Sequence, residues 1–283
     1  MLIVRINGGL GNQLFQYAMS KILSSYSDVA FHVDSNSDVN SLEALVGTIP
    51  RASNEDIFRV SYFTKYNFIN RLLKKLFRVF PHFFKQYCYW DDRTDSSNLT
   101  YSSIQRLYLD GYWQDIKLIN NALPYMSETI NDKAFSKNYI SILSEIDAPN
   151  SVTIHVRKGD YISEEFSSKF DVCDASYYSN AIKHFLKRSG GECKFYFITN
   201  DIDWVRSNLD LSELKYDFVS GRDLKDYEEM LLIGRAKGVV MSNSTFSWWG
   251  VNLSQSSPHV ICPASWFRTE DRPSLISPEW QRI

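Results

Sequence analysis

The chain has 283 residues, about two domains at the usual ~150 residues each, and its 44% hydrophobic, 15% aromatic and 23% charged composition supplies full apolar cores. That excludes an intrinsically disordered polymer. The 31 Lys and Arg nearly balance the 33 Asp and Glu, and the net charge of −2 excludes the whole-protein basic field on which nucleic-acid binding usually rests.

Leu2–Ile6 is a short apolar run that stops at Gly8, Gly9 and Gly11. Leu14, Phe15, Ala18, Ile22 and Leu23 then recur at helical spacing, so strand, glycine loop and helix are predicted in that order. Val29–Val33 reads as a second strand closing on Asp34. Less regular, aromatic-rich sequence extends from there to about residue 148. Within it, residues 57–90 contain no acid but carry Arg59, Lys65, Arg71, Lys74, Lys75, Arg78 and Lys85 among Phe, Leu and Tyr. Such a stretch suits peripheral contact with an anionic membrane or a lipid-linked phosphate, and equally a helix whose apolar face packs on the first domain.

At Asp147 to Ser151 a proline and small polar residues separate a helical stretch from a new strand, which places the domain boundary between 148 and 149. Beyond it, strands at Val152–Val156, Phe195–Thr199, Tyr216–Val219, Val239–Met241 and Val260–Cys262 alternate with helices over 176–188, 202–209, 226–236 and 244–254. That alternation predicts a parallel sheet covered by helices, with a ligand crevice at the carboxyl ends of the strands. Cys88, Cys173, Cys193 and Cys262 are far apart and read as reduced packing residues. With no signal-peptide pattern and no apolar run near the ~20 residues of a membrane span, a cytoplasmic protein is expected, peripheral at most.

Four segments could carry chemistry. Gly8, Gly9, Leu10, Gly11, Asn12 and Gln13 lie between strand and helix, where backbone N–H groups and a helix N-terminus can receive a negative or polar ligand. The dinucleotide fingerprint counted from Gly9 fails at Leu14, so an unliganded glycine turn is the alternative. His155, Arg157, Lys158 and Asp160 cluster where a strand ends. His155 and Arg157 share a strand face and could clamp a leaving phosphate, unless Arg157 merely pairs with Asp160. Asp201 and Asp203 form an acid-x-acid pattern able to hold a metal, although acids opening a helix are more often caps. Finally Ser242, Asn243, Ser244 and Thr245, with Phe246 next in the chain, offer more hydroxyl and amide groups than capping one helix requires. Together these features point to a nucleotide diphosphate on the second domain.

In order and spacing, the motifs at 8–17, 155–161, 197–204 and 242–250 resemble the α-1,2-fucosyltransferases of glycosyltransferase family 11, particularly the bacterial members that build surface polysaccharides. The resemblance implies an α/β, GT-B-like fold of two Rossmann-type domains facing across a cleft. Residues 1–148 would be the acceptor side and 149–283 the nucleotide-sugar side. It implies GDP-β-L-fucose as donor, inversion at the anomeric carbon, no metal or other cofactor, and a galactose 2-hydroxyl acceptor, free or lipid-linked, in an O-antigen unit or related glycan. Carried onto this chain, Arg157 would bind the β-phosphate, and His155, Asn243, Ser244, Thr245 and Phe246 would line the nucleotide. Gly8, Gly9, Gly11, Asn12 and Gln13 would approach the donor sugar. Glu228 stands where relatives carry an aspartate that hydrogen-bonds guanine, Asp160 is the candidate general base, and Lys158 replaces a second arginine. Transfer of another GDP-linked 6-deoxyhexose such as colitose is one alternative. A non-catalytic nucleotide- or sugar-binding protein is the other.

Overall fold

The computed structural model describes residues 1–24, 28–56, 88–91, 107–131, 135–158, 172–267 and 275–283. Asp160 and residues 57–87 of the basic stretch lie outside them. The chain forms two compact units, Met1–Met126 and Ser127–Ile283.

In the first unit, β1 (Leu2–Ile6), β2 (Val29–Val33), β3 (Cys88–Asp91) and β4 (Leu107–Asp110) form a parallel sheet in the order β2-β1-β4-β3. Helix α1 (Leu10–Ser24) buries Leu14, Phe15 and Ala18, and its Tyr17 ring stacks on Phe31 of β2 with centroids 6.0 Å apart. The helix begins earlier than the apolar spacing predicts. Of the three glycines before and in its first turn, Gly8 alone takes the left-handed conformation, with φ +77, and reverses the chain, so that Gly11, Asn12 and Gln13 form the first helical turn. Short helices α2 (Asn40–Val46) and α3 (Ile116–Ile119) follow, and the longer α4 (Leu123–Asn131) spans the division between the units. Arg5, the one charged side chain of β1, forks onto Asp34 at 3.0 and 2.6 Å and reaches Asp110 at 2.8 Å, tying β1 and β4 to the residue after β2.

The second unit holds α5 (Lys137–Ile146), β5 (Ser151–Val156), α6 (Ala175–Arg188), β6 (Lys194–Thr199), α7 (Ile202–Asn208), β7 (Lys215–Phe218), α8 (Asp226–Ile233), β8 (Gly238–Val240), α9 (Thr245–Asn252), β9 (His259–Cys262) and β10 (Gln281–Arg282). Its six strands are all parallel, in the order β10-β9-β8-β5-β6-β7. From central β5 the chain winds one way through β6 and β7, then the other way through β8, β9 and β10. β5 is buried along its length, and Ile154, Val156, Phe195, Phe197, Val240 and Ile261 share one core. Every strand and helix expected after residue 150 is found within a few residues of its predicted ends. α8 and α9 approach so closely that a Cβ on Gly250 would overlap the Met230 carbonyl. Cys173, Cys193 and Cys262 are buried free thiols.

The contact-defined division precedes the Pro149 segment at which sequence punctuation puts the boundary, because α5 packs with later elements of the second unit. Glu228 accepts from Ser136 N at 2.7 Å, Arg222 Nη1 lies 3.1 Å from Glu145 Oε2, and Tyr196 OH donates to Glu145 O at 2.9 Å. Pro149 therefore lies in a short helix-to-strand turn within the second unit, and such turns use the same residues as linkers. No helix among the described residues is long and apolar enough to cross a membrane.

Candidate functional site

In an open parallel sheet the crevice lies where successive connections leave in opposite directions, and in the second unit that point is between β5 and β8. Ile154 is in register with Val240, so residues after 154 and after 240 emerge side by side. His155 Nδ1 lies 2.8 Å from Ser242 Oγ, and its ring stacks on Phe246 with centroids 5.4 Å apart. His155 is 3% exposed. Burial, and secondarily the charge of Arg157, push its imidazole down to about 3, so it is neutral near pH 7. Of the pair expected to clamp a phosphate, the partly exposed Arg157 is therefore the cation, while His155 joins the two loops.

The Ser242–Phe246 segment divides its labour. Asn243 is committed to the fold, its Nδ2 donating to Trp266 O at 3.1 Å and its Oδ1 accepting from Cys173 Sγ at 3.6 Å. Ser244 caps α9, its Oγ accepting from Phe246 N at 3.3 Å, and Ser247 Oγ braces the turn by donating to Ser242 O and Ser244 O at 3.0 and 3.1 Å. Thr245 opens the helix and is partly exposed. His155, Ser242, Ser244, Thr245 and Phe246 are thus brought together at the positive end of α9, with Arg157 following His155 closely enough for its charge to act on the ring, an arrangement suited to an anion.

Towards β6 and β7 the strand ends are knitted by residues singled out in the sequence together with Asn200, Ser220 and Glu229, which sequence reasoning overlooked. Lys158 N donates to Asn200 Oδ1 at 3.0 Å, and the Lys158 ammonium lies 4.7 Å from the centre of the Trp204 ring. Asp201 Oδ1 accepts from Trp204 N at 2.8 Å, the capping role that competed with metal binding. Glu228, 1% exposed, has both oxygens engaged by backbone, accepting from Ser136 N at 2.7 Å and Lys225 N at 3.1 Å. It secures the N-termini of α5 and α8. The acid that points at the strand ends is its neighbour: Thr199 N donates to Ser220 Oγ at 2.9 Å, which donates to Glu229 Oε2 at 3.0 Å. Burial raises the Glu229 carboxyl, the Ser220 hydrogen bond offsets part of that, and Asp226 adds to it. A capping-box spacing between Lys225 and Glu228 was the available signal, obscured because lysine is not an N-cap residue type.

The glycine-rich residues form a separate constellation in the first unit. A Cβ on Gly8 would meet Asn12 Nδ2 at 3.0 Å and Tyr112 Cε1 at 3.4 Å. Gln13 Nε2 donates to Gly8 O at 2.8 Å and Asp38 O at 2.7 Å, and Asn12 Oδ1 accepts from Gln114 Nε2 at 2.9 Å. Gln16 accepts from Asn7 N at 3.0 Å and donates to Asn7 Oδ1 at 2.8 Å and Gly111 O at 3.2 Å. Gly9 is exposed beside Gly8, whereas Gly11 is buried in α1.

The model of glycosyl transferase family 11 matches residues 1–283. An alpha-1,2-colitosyltransferase of Escherichia coli is 25% identical over 100% of this chain and 99% of its own. The O-antigen biosynthesis glycosyltransferase WbnK of Escherichia coli is 27% identical over 97% of this chain and 98% of its own. Among solved structures, a mutant of Arabidopsis thaliana FUT1 in complex with GDP matches 96% of this chain and 71% of its own, with a TM-score of 0.50 at 12% identity. The fold is accordingly α/β and GT-B-like, with parallel sheets.

Proposed function

The chain belongs to glycosyl transferase family 11 and is a glycosyltransferase, and from that premise we propose that it transfers L-fucose, with inversion, from GDP-β-L-fucose to the 2-hydroxyl of a galactose in an O-antigen unit or related glycan. The observation that carries this reading is the seating of His155 against Ser242 and Phe246 at the β5/β8 switch point, with Arg157 two residues further on and near enough for its charge to act on the imidazole. As the bond from fucose C1 to the phosphate oxygen breaks, the GDP leaving group gains charge. A fixed guanidinium fork and a helix end stabilise what develops there, so no metal is required. A carboxylate takes the proton of the attacking hydroxyl, and Asp160 remains the proposed base. Glu229 replaces Glu228 as the acid proposed to accept from the N–H groups of guanine, since backbone donors already hold both oxygens of Glu228. The proposal includes a free or lipid-linked acceptor and peripheral membrane contact through residues 57–90. The O-antigen assignment draws on the likeness to WbnK.

A second reading, transfer from GDP-colitose, is favoured by the relative of matching length that is a colitosyltransferase. One experiment addresses both. The protein is incubated with GDP-fucose or GDP-colitose and a panel of β-galactosides, and glycoside mass gain and released GDP are measured. Faster turnover of GDP-fucose supports the first reading and faster turnover of GDP-colitose the second. Neither product from either donor would overturn both.

A further inference from the structure

We infer that the second unit carries an anion site apart from the proposed donor crevice: a cavity of about 220 Å³ at the amino ends of β5, β8 and β9, which takes the phosphate group of a small ligand between Arg188, Lys237 and Asn150. The inference goes beyond the proposed transfer reaction, because the donor loops leave the opposite, carboxyl ends of the same strands.

Parallel pairing sets Val152, Gly238 and His259 in one row, Val152 against Gly238 and Gly238 against His259. Gly238 and His259 open β8 and β9, and Val152 is the second residue of β5, so the row is the amino edge of the sheet. A Cβ on Gly238 would overlap the Phe185 ring of α6. Glycine therefore lets that ring lie across the row, where it forms an apolar wall with Val152. Around this wall, α6 ends at Arg188, the turn into β5 supplies Asn150, and the approach to β8 supplies Lys237. Ser151 and Val156 bound β5 and are about 16 Å apart at ~3.3 Å per residue, which separates the cavity from the donor loops.

Chemistry narrows the ligand class. No acid is among the described residues that line the cavity. Among the described residues the Arg188 guanidinium makes no hydrogen bond or ion pair, and the Asn150 side-chain amide makes no hydrogen bond. Lys237 uses one of its three ammonium N–H groups on Asp147 Oδ1 at 2.8 Å. His259 Nε2 lies 3.0 Å from Gln281 Oε1, which leaves Nδ1 to accept from a protonated phosphate or, once charged, to donate. Burial first, and the charge of Arg188 second, hold the His259 imidazole below its ordinary value, and the Gln281 bond offsets part of this, so the guanidinium is within electrostatic reach of the ring. A planar fork, an ammonium and an amide around one hollow match the oxygens of a phosphate. The dipole of α6 accounts for Lys187 and Arg188 in its last turn, but not for Lys237 and Asn150 on two other segments. The volume is below the ~300 to 1,000 Å³ of sites that enclose drug-sized ligands, so the ligand is free phosphate or a small phosphate ester rather than a nucleotide sugar.

The test measures binding to the full chain by calorimetry in a phosphate-free buffer, with inorganic phosphate and glucose 1-phosphate as probes. Arg157→Ala is the background, so that the proposed donor crevice does not contribute. In that background Arg188→Gln and Lys237→Gln should each weaken binding about tenfold. Lys187→Gln, in the same helical turn but outside the cavity, should stay within about twofold. Arg188 and Lys237 are exposed, so both substitutions leave the core intact, and urea unfolding of each variant verifies it. Tighter binding of glucose 1-phosphate than of inorganic phosphate identifies a phosphate ester as the ligand, and the reverse or equality identifies free phosphate; either result supports the site. Equal losses in Lys187→Gln and Arg188→Gln would reduce the effect to general surface charge and overturn the site. So would a wild-type chain that binds neither probe, or binding abolished by Arg157→Ala alone.

Discussion

Charging His155 should destabilise the second unit as pH falls below 6.5, before the carboxyls held under their ordinary range titrate. The imidazole is held near 3 against an ordinary value of 6.5, first by burial and second by Arg157. As pH falls through 6.5 the unfolded chain takes up a proton that the folded chain refuses, so this contribution is intact above 6.5 and is lost progressively down to about 3. At pH 5 the loss amounts to about 2 kcal/mol, on the standard conversion of 1.36 kcal/mol per unit. The comparison is wild type against His155→Gln, which keeps a polar group towards Ser242 but does not titrate. Urea unfolding at pH 7, 6 and 5 gives the free energy of each. Burial also lowers His32 and His259, but these titrate in both proteins and cancel in the difference. The carboxyls of Asp147, Asp174 and Asp217 are held below the usual range, so their contributions are lost only at lower pH. Wild type should therefore lose about 2 kcal/mol more than the variant between pH 7 and 5. Parallel curves would mean that His155 is not a buried neutral ring, and the assignment of the phosphate charge to Arg157 alone would go with it.

Arg157→Lys keeps the charge but replaces a planar fork with a point donor. Its turnover should fall ~10² to 10³-fold, with a smaller change in GDP affinity and an unchanged melting temperature, and near-normal steady-state turnover in a folded variant would remove Arg157 from the chemistry. Activity should survive excess EDTA, because Asp201 is a helix cap and Arg157 with the α9 N-terminus supplies positive charge. Abolition by chelation and rescue by Mn²⁺ would restore the Asp201/Asp203 metal reading. Glu228→Gln sets an amide N–H against Lys225 N or Ser136 N and should cost about 1–3 kcal/mol in urea unfolding with little change in donor KM. Glu229→Gln should do the reverse, raising donor KM with little loss of stability, and a KM effect confined to Glu228→Gln would return the base-recognition role to that residue.

Legibility in the sequence divides along physical lines. Buried parallel strands are continuous apolar runs, so β5, β6, β8 and β9 stand out, and each is nearly or wholly buried. β3 and β4, each ending in an aspartate, are not set off as continuous apolar runs in their aromatic-rich surroundings, the two-residue β10 is too short to show a period, and the places of all three depend on partners elsewhere in the chain. The same division runs through the candidate site. Where the backbone turns sharply out of a sheet it needs Gly8, or a run such as Ser242 to Thr245, and those residue types are conspicuous. The residues that complete each turn are ordinary in type and remote in sequence. Gln114 meets Asn12 from 102 positions away, Ser136 meets Glu228 from 92, and Ser242 meets His155 from 87. Glu228 and Glu229 adjoin in sequence, and only the fold sends one to backbone N–H groups and the other to Ser220. Motifs therefore locate the loops where the chain leaves β1, β5 and β8, but which side chains there are already bound within the fold is decided by hydrogen bonds that only the folded chain contains. That is why Asn243 and Glu228 are held by bonds within the fold, and why Glu229 could be proposed for base recognition only once the fold was known.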